Sequence, residues 1–141
     1  MIAFSWGVRR AGLLCAVFLW IASGADAAAS TLVDGTWRIE NMVLEIFDCK
    51  TQVCGRIVWL EDLTRRASQC GELIVWGLKP TGASEWAGGS IHDPDDGATY
   101  NLSANYWPDG TLRARIYRGI ELLGQTKILR RVQPHSLQGW C

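Results

Sequence analysis

From Thr36 onward, apolar and polar residues alternate along most of the chain, which is the period of strands with one buried face. Thr36-Trp37-Arg38-Ile39-Glu40 reads as one strand and Met42 to Phe47 as the next, with Met42, Leu44 and Ile46 on one face. Val53 to Leu60 predicts a third strand, carrying Ile57 and Trp59 on that same side. Glu61 to Gln69 is polar and predicts a short helical turn or loop. Leu73 to Trp76 is a short apolar strand, and the glycines and proline of Gly77-Leu78-Lys79-Pro80-Thr81-Gly82 predict a loop after it.

The second half alternates more regularly. Ser84 to Ile91 predicts a strand in which Gly88-Gly89 marks a bulge or sharp bend. Asp93-Pro94-Asp95-Asp96-Gly97 is a turn, and Tyr100, Leu102, Ala104 and Tyr106 alternate along the strand that follows. Pro108-Asp109-Gly110 is a second turn, since Asp-Gly accepts the positive φ of a tight hairpin. Leu112, Ala114 and Ile116 then alternate against Arg113, Arg115 and Tyr117, and Leu123 to Val132 forms the last strand after a Gly119–Leu122 connection. About eight short strands with frequent turns predict a single all-β domain, a sandwich or a barrel.

The N-terminal segment breaks this pattern. Arg9 and Arg10 precede an uncharged apolar run from Ala11 to Ala22, and small residues follow through Ser30. That order predicts a secretory signal peptide over residues 1–27, cleaved after Ala27 or close by at Ala29, with the domain over 28–141. The apolar run is shorter than the roughly 20 residues of a membrane span, so the processed chain is expected to have none. Cys15 sits where a lipoprotein anchor is conceivable, but Leu14 stands in place of the small residue such anchors need. The expected location is the periplasm or the exterior.

Export changes the reading of charge and cysteines. The whole chain has 14 basic and 14 acidic residues, and loss of Arg9, Arg10 and Asp26 leaves a net charge near −1. No basic patch stands out, which argues against nucleic acid as a partner. Cys49, Cys54, Cys70 and Cys141 remain, and four cysteines in a small exported chain predict two disulfides with three possible connectivities. Cys49–Cys54 and Cys70–Cys141 are favoured. The first pair brackets a turn-length gap between two strands, and the second would tie the last residue to the middle of the chain. The paired C-x₂-C spacing of a zinc site is absent.

Several blocks resemble a known family. They are Gly35-Thr36-Trp37, Cys49…Cys54-Gly55-Arg56-Ile57-Val58-Trp59-Leu60, Gly77-Leu78-Lys79-Pro80, Trp86…Gly89-Ser90-Ile91-His92-Asp93-Pro94-Asp95-Asp96-Gly97-Ala98-Thr99-Tyr100, Leu112-Arg113-Ala114-Arg115 and Gly119-Ile120…Leu122-Leu123-Gly124. In this order and spacing the chain resembles the bacterial exported family DUF2147 from Gly35 to about Val132. The resemblance implies a small antiparallel lipocalin-like barrel and transfers no chemistry. Three departures stand out: His92 where the family often has an aromatic residue, Leu129 in place of a late Trp, and a shortened Glu61–Cys70 connection.

Candidate chemistry is sparse. Asp93, Asp95 and Asp96 beside Gly97 supply the hard oxygens calcium prefers, but the spacing is not that of an EF-hand and the composition is that of an ordinary turn. Ser90, His92 and Asp93 provide the residue types of a hydrolytic triad. On a strand, though, Asp93 points away from the other two, and no nucleophile elbow surrounds Ser90. No catalytic residue, metal or cofactor is therefore expected. Among the tryptophans, Trp37 is expected to plug the closed end of the barrel under a stacked Arg130 or Arg131. Trp59, Trp76, Tyr100 and Tyr106 are the expected lining of a ligand cavity, with Arg115 as its polar anchor should that face turn inward. The expected partner is a small apolar or amphipathic ligand, and the alternative is an envelope protein that docks on a barrel with a filled core.

Overall fold

The computed structural model describes residues 32–141, so the signal segment, its cleavage positions and Cys15 lie outside the described residues. Eight strands follow one another in chain order: β1 (Gly35–Ile39), β2 (Met42–Cys49), β3 (Gln52–Leu60), β4 (Leu73–Gly82), β5 (Glu85–His92), β6 (Thr99–Tyr106), β7 (Leu112–Tyr117) and β8 (Gln125–Arg131). Each pairs antiparallel with the next, and β8 returns to β1 through Trp37↔Arg131 and Arg38↔Arg130, so the sheet closes into a barrel. Closure leaves no free sheet edge. The polar stretch after β3 forms a 3₁₀ turn (Leu63–Arg65) and a one-turn helix α1 (Arg66–Gln69).

Alternation decides which side chains enter the barrel. Trp37, Leu44, Ile46, Ile57, Leu102 and Leu129 all belong to the buried interior cluster. Two local departures from simple alternation reshape it. In β3, Leu44 pairs with Ile57 but Val43 pairs with Trp59. One extra residue, Val58, is thereby inserted and the phase of the strand flips. Ile57 faces inward as expected, whereas Trp59 faces outward. In β4, the expected loop Gly77–Gly82 is instead strand, with Lys79 opposite Ala87 and Pro80 opposite Trp86. Gly77 sits at φ +77°, a conformation other residues resist, and lets the strand kink and continue. Pro80 lies past the last β3 partner, Leu78, where a missing N–H interrupts no ladder. The expected bulge at Gly88-Gly89 is present as a register shift between Trp86 and Gly89. A Cβ on Gly89 would come within 2.5 Å of Leu78 Cγ, so the glycine makes room for that core leucine. At the far end, β8 begins at Gln125, and Leu123 belongs to a 3₁₀ turn, Glu121–Leu123.

Trp37 is fully buried and closes one end. Its Nε1 donates to the Val33 carbonyl at 2.6 Å, and the Arg131 guanidinium lies 4.2 Å from its ring centroid. Arg131 also donates to the carbonyls of Leu32 and Asp34, and Tyr106 meets Trp37 edge-on at 6.4 Å. Between this plug and mid-barrel lies a small apolar void of about 30 Å³, among Leu44, Ile46, Trp86 and Leu102. The lower half of the barrel is solid.

The cysteines pair as Cys49–Cys54 and Cys70–Cys141, with Cα–Cα separations of 5.8 and 5.4 Å. The second bridge, with a Cys141 N–H to Val58 O bond of 2.8 Å, draws the C-terminal tail across the outside of β3. There Trp59 Nε1 donates to Gln138 O at 2.9 Å, and the Arg38 and Arg66 guanidinium groups lie over the Trp59 ring.

Candidate ligand-binding cavity

In an up-and-down barrel, alternate connections emerge at alternate ends. The two-residue turns Lys50-Thr51 and Ala83-Ser84 and the Trp107–Thr111 turn lie at the plugged end. The opposite end gathers the Glu40-Asn41 turn and the three longer connections, 61–72, 93–98 and 118–124. These longer loops surround a cavity of about 490 Å³. Its floor is apolar, formed by Ile39, Leu44, Ile74, Ile91 and Ile116. Its upper wall is polar and includes Glu40, His92, Tyr100, Tyr117, Arg118 and Lys127.

Strand phase explains how a lysine comes to line the interior. Lys127 stands opposite Ala114 in the ladder and two residues before the buried Leu129, so it shares their inward face. Its ammonium forms an ion pair with the Glu40 carboxylate from the β1–β2 turn. Across the mouth, the Tyr100 hydroxyl donates to Asp96 Oδ2 at 2.6 Å. That bond, aided by the Ala98 N–H, holds the Asp96 carboxyl below the usual range and pushes the Tyr100 phenol up. The Arg118 guanidinium sits 4.5 Å from the Tyr100 ring centroid. Asp95 accepts from Arg65 at 2.8 Å and from Gln69 at 3.0 Å, which ties the β5–β6 loop to the helical connection after β3.

Of the five residues expected to line the site, Tyr100 alone is in the cavity wall. Tyr106 points inward but packs at the plugged end against Trp37. Trp59 lies outside under the tail, and Trp76 is 37% exposed on the outer face, paired with Ser90. Arg115 also faces out, because its neighbours Ala114 and Ile116 take the inner positions. Its guanidinium clamps the β7–β8 loop through Glu121 O, Leu122 O and Thr126 Oγ1. Glu40, Arg118 and Lys127 were not singled out from the sequence. The available signal was Lys127 in phase with Leu129, a charge in an inward register.

The other candidate clusters do not assemble. Asp93 Oδ1 caps the Asp95 N–H and Asp96 Oδ1 caps the Ala98 N–H, so these carboxylates stabilise their own turn. Among the described residues no three His, Cys, Asp or Glu side chains are placed to share a metal ion. His92 meets Thr99 Oγ1 at 3.3 Å and Glu72 at 3.9 Å rather than Ser90.

A closed eight-stranded antiparallel barrel with one plugged end and one open, polar-rimmed end is a lipocalin-like architecture, compatible with binding a small ligand. Residues 35–131 match the DUF2147 family, described as an uncharacterized protein conserved in bacteria, and the chain belongs to it. Among solved structures it is similar to protein HP1028 from the human pathogen Helicobacter pylori, which belongs to the lipocalin family. The TM-score is 0.64 at 16% identity, over 74% of this chain and 85% of that one; at this identity the likeness concerns the fold. No curated protein matches the chain. No helix among the described residues is long and apolar enough to cross a membrane.

Proposed function

We propose that this chain is an exported binding protein that holds a small apolar or amphipathic molecule in the mouth of the barrel, and binds it rather than transforming it. The observation that carries this reading is the contrast between the two halves. The lower half is packed solid, while the upper half encloses about 490 Å³ above an apolar floor, within the range of small-molecule sites. A barrel with only a scaffolding role gains nothing from such a space, since each unfilled volume forgoes dispersion contacts. Two disulfides and the signal-like segment support export to an oxidising compartment, the periplasm or the exterior.

The alternative, docking to an envelope protein, draws support from Ile120, Leu122 and Leu123, which are 64, 82 and 79% exposed on the β7–β8 loop. Mass spectrometry under non-denaturing conditions, on protein recovered from a bacterial periplasm without detergent, separates the two. A discrete added mass that is lost on denaturation is expected. A bare mass with no uptake from a lipid extract, together with a stoichiometric protein partner, would replace the ligand reading with the docking one.

A further inference from the structure

We propose that the open end of the barrel docks on a zwitterionic phospholipid surface, touching it through the β7–β8 loop and the tip of the β3–β4 connection. The inference concerns the rim and goes beyond the binding reading above, since docking does not depend on what the cavity holds. Among the described residues, the four most exposed large apolar side chains are Leu122, Leu123, Leu63 and Ile120. All four belong to connections at the open end. Leu63, 69% exposed, begins the 3₁₀ turn after β3, and the other three occupy the β7–β8 loop. In an eight-stranded barrel closed in chain order, these two connections lie four strands apart, on opposite sides of the mouth. A partner that covers both has to span the mouth. A bilayer surface is flat and continuous and does so without any shaped pocket, which favours it over the envelope protein considered above.

The β7–β8 loop is also built to leave water. Its Glu121 and Leu122 carbonyls accept from Arg115 at 2.9 and 2.6 Å. The Leu123 and Gly124 N–H groups donate to the Ile120 and Glu121 carbonyls at 3.1 and 3.0 Å, and the Glu121 carboxylate accepts from the Ser103 hydroxyl. Polar groups already paired within the protein lose little when the loop enters the head-group layer, so burial of the apolar side chains is weakly opposed. Charge at the rim selects the kind of surface. Lys127 pairs with Glu40, and Arg65 with Asp62 and Asp95, while Arg118 overlies Tyr100 beside Asp96. Carboxylates are in excess over cations, which disfavours an anionic bilayer. Head groups that carry both a cation and a phosphate offer partners to both signs.

Flotation with phosphatidylcholine vesicles tests this on the disulfide-bonded wild type, Leu63→Ser, the double variant Ile120→Ser/Leu122→Ser, and Ile128→Ser, which alters an exposed isoleucine on the barrel wall. Wild type and Ile128→Ser should float equally. Leu63→Ser should lower the partition coefficient about fivefold and the double variant more than about tenfold, with near-ultraviolet circular dichroism unchanged. Replacing half of the phosphatidylcholine by phosphatidylglycerol should weaken binding at low salt, and high salt should remove the difference. No flotation of the wild type, flotation that ignores both rim substitutions, or binding that requires phosphatidylglycerol would overturn the proposal. A stoichiometric protein partner lost in the double variant, with no flotation, would overturn it in favour of protein docking.

Discussion

Arg131 joins three pieces of chain at the plugged end: the Trp37 ring, the Leu32 carbonyl and the Asp34 carbonyl. A single substitution therefore removes a cation–π contact and two charge-assisted hydrogen bonds. Arg131→Met should cost about 2 kcal/mol in urea unfolding without changing ligand affinity, because the plug and the cavity lie at opposite ends. At the same scale, the Thr64, Tyr100 and Thr111 hydroxyls donate to Asp62, Asp96 and Asp109 and hold each carboxyl below its usual range. Unfolding returns these groups to a pKa of about 4. A depressed native pKa adds stability above that unfolded value, and the stability is lost as pH falls through the native values. Asp34, raised chiefly by burial, has the opposite sign, its ionisation opposing the fold as pH rises. The urea midpoint should therefore drop below about pH 4, and the triple Asp→Asn variant at 62, 96 and 109 should show a shallower drop. A stack of Trp37 under Arg130 or Arg131 was legible in the sequence, and the β1–β8 register, with Trp37 opposite Arg131, selects Arg131. Lys127 was not singled out, because a lysine usually marks the outer face and only its register against Ala114 places it inside.

The disulfides make unequal demands on the elements they join. Cys49–Cys54 spans a hairpin of sequence separation 5, whereas Cys70–Cys141 closes a loop of sequence separation 71. In the loop-entropy description, removing the first should cost about 2 kcal/mol and removing the second about 4, compared as Cys→Ala pairs in denaturant. Loss of the second should also release the tail from Trp59 and shift its emission to the red, a change absent from the first pair and from a Trp59→Phe background. Cys49–Cys54 was legible because only a turn separates the two cysteines, which leaves Cys70 and Cys141 for the second bridge. Strand existence was legible as well, since period 2 survives in the sequence. Strand phase was not: one inserted residue at Val58 turned Trp59 from the expected cavity wall to the outer face. Glycine and proline misled in the same way at Gly77–Gly82, where a kinked strand and an unpaired flank accommodate residues that ordinarily mark a loop.

At the scale of the whole molecule, the barrel divides into a packed lower half and a hollow upper half, and the division follows from which inward side chains stand at each level. Trp37, Trp86 and their aliphatic neighbours fill the plugged end, while space remains above the isoleucine floor at the other. That the protein is a barrel could be reached from alternation, turns and family resemblance together. Where the barrel is hollow could not, because cavity volume depends on which inward residues of eight strands share a level. Methyl-resolved NMR during titration with dodecanoate tests the central claim most directly. Binding in the mouth should shift the methyl signals of Ile39, Leu44, Ile74, Ile91 and Ile116, and leave Ile46, Leu102 and Leu112 of the packed half nearly still. Shifts confined to the exposed Ile120 and Leu122, or no shifts at all, would contradict a ligand cavity at the mouth of this barrel.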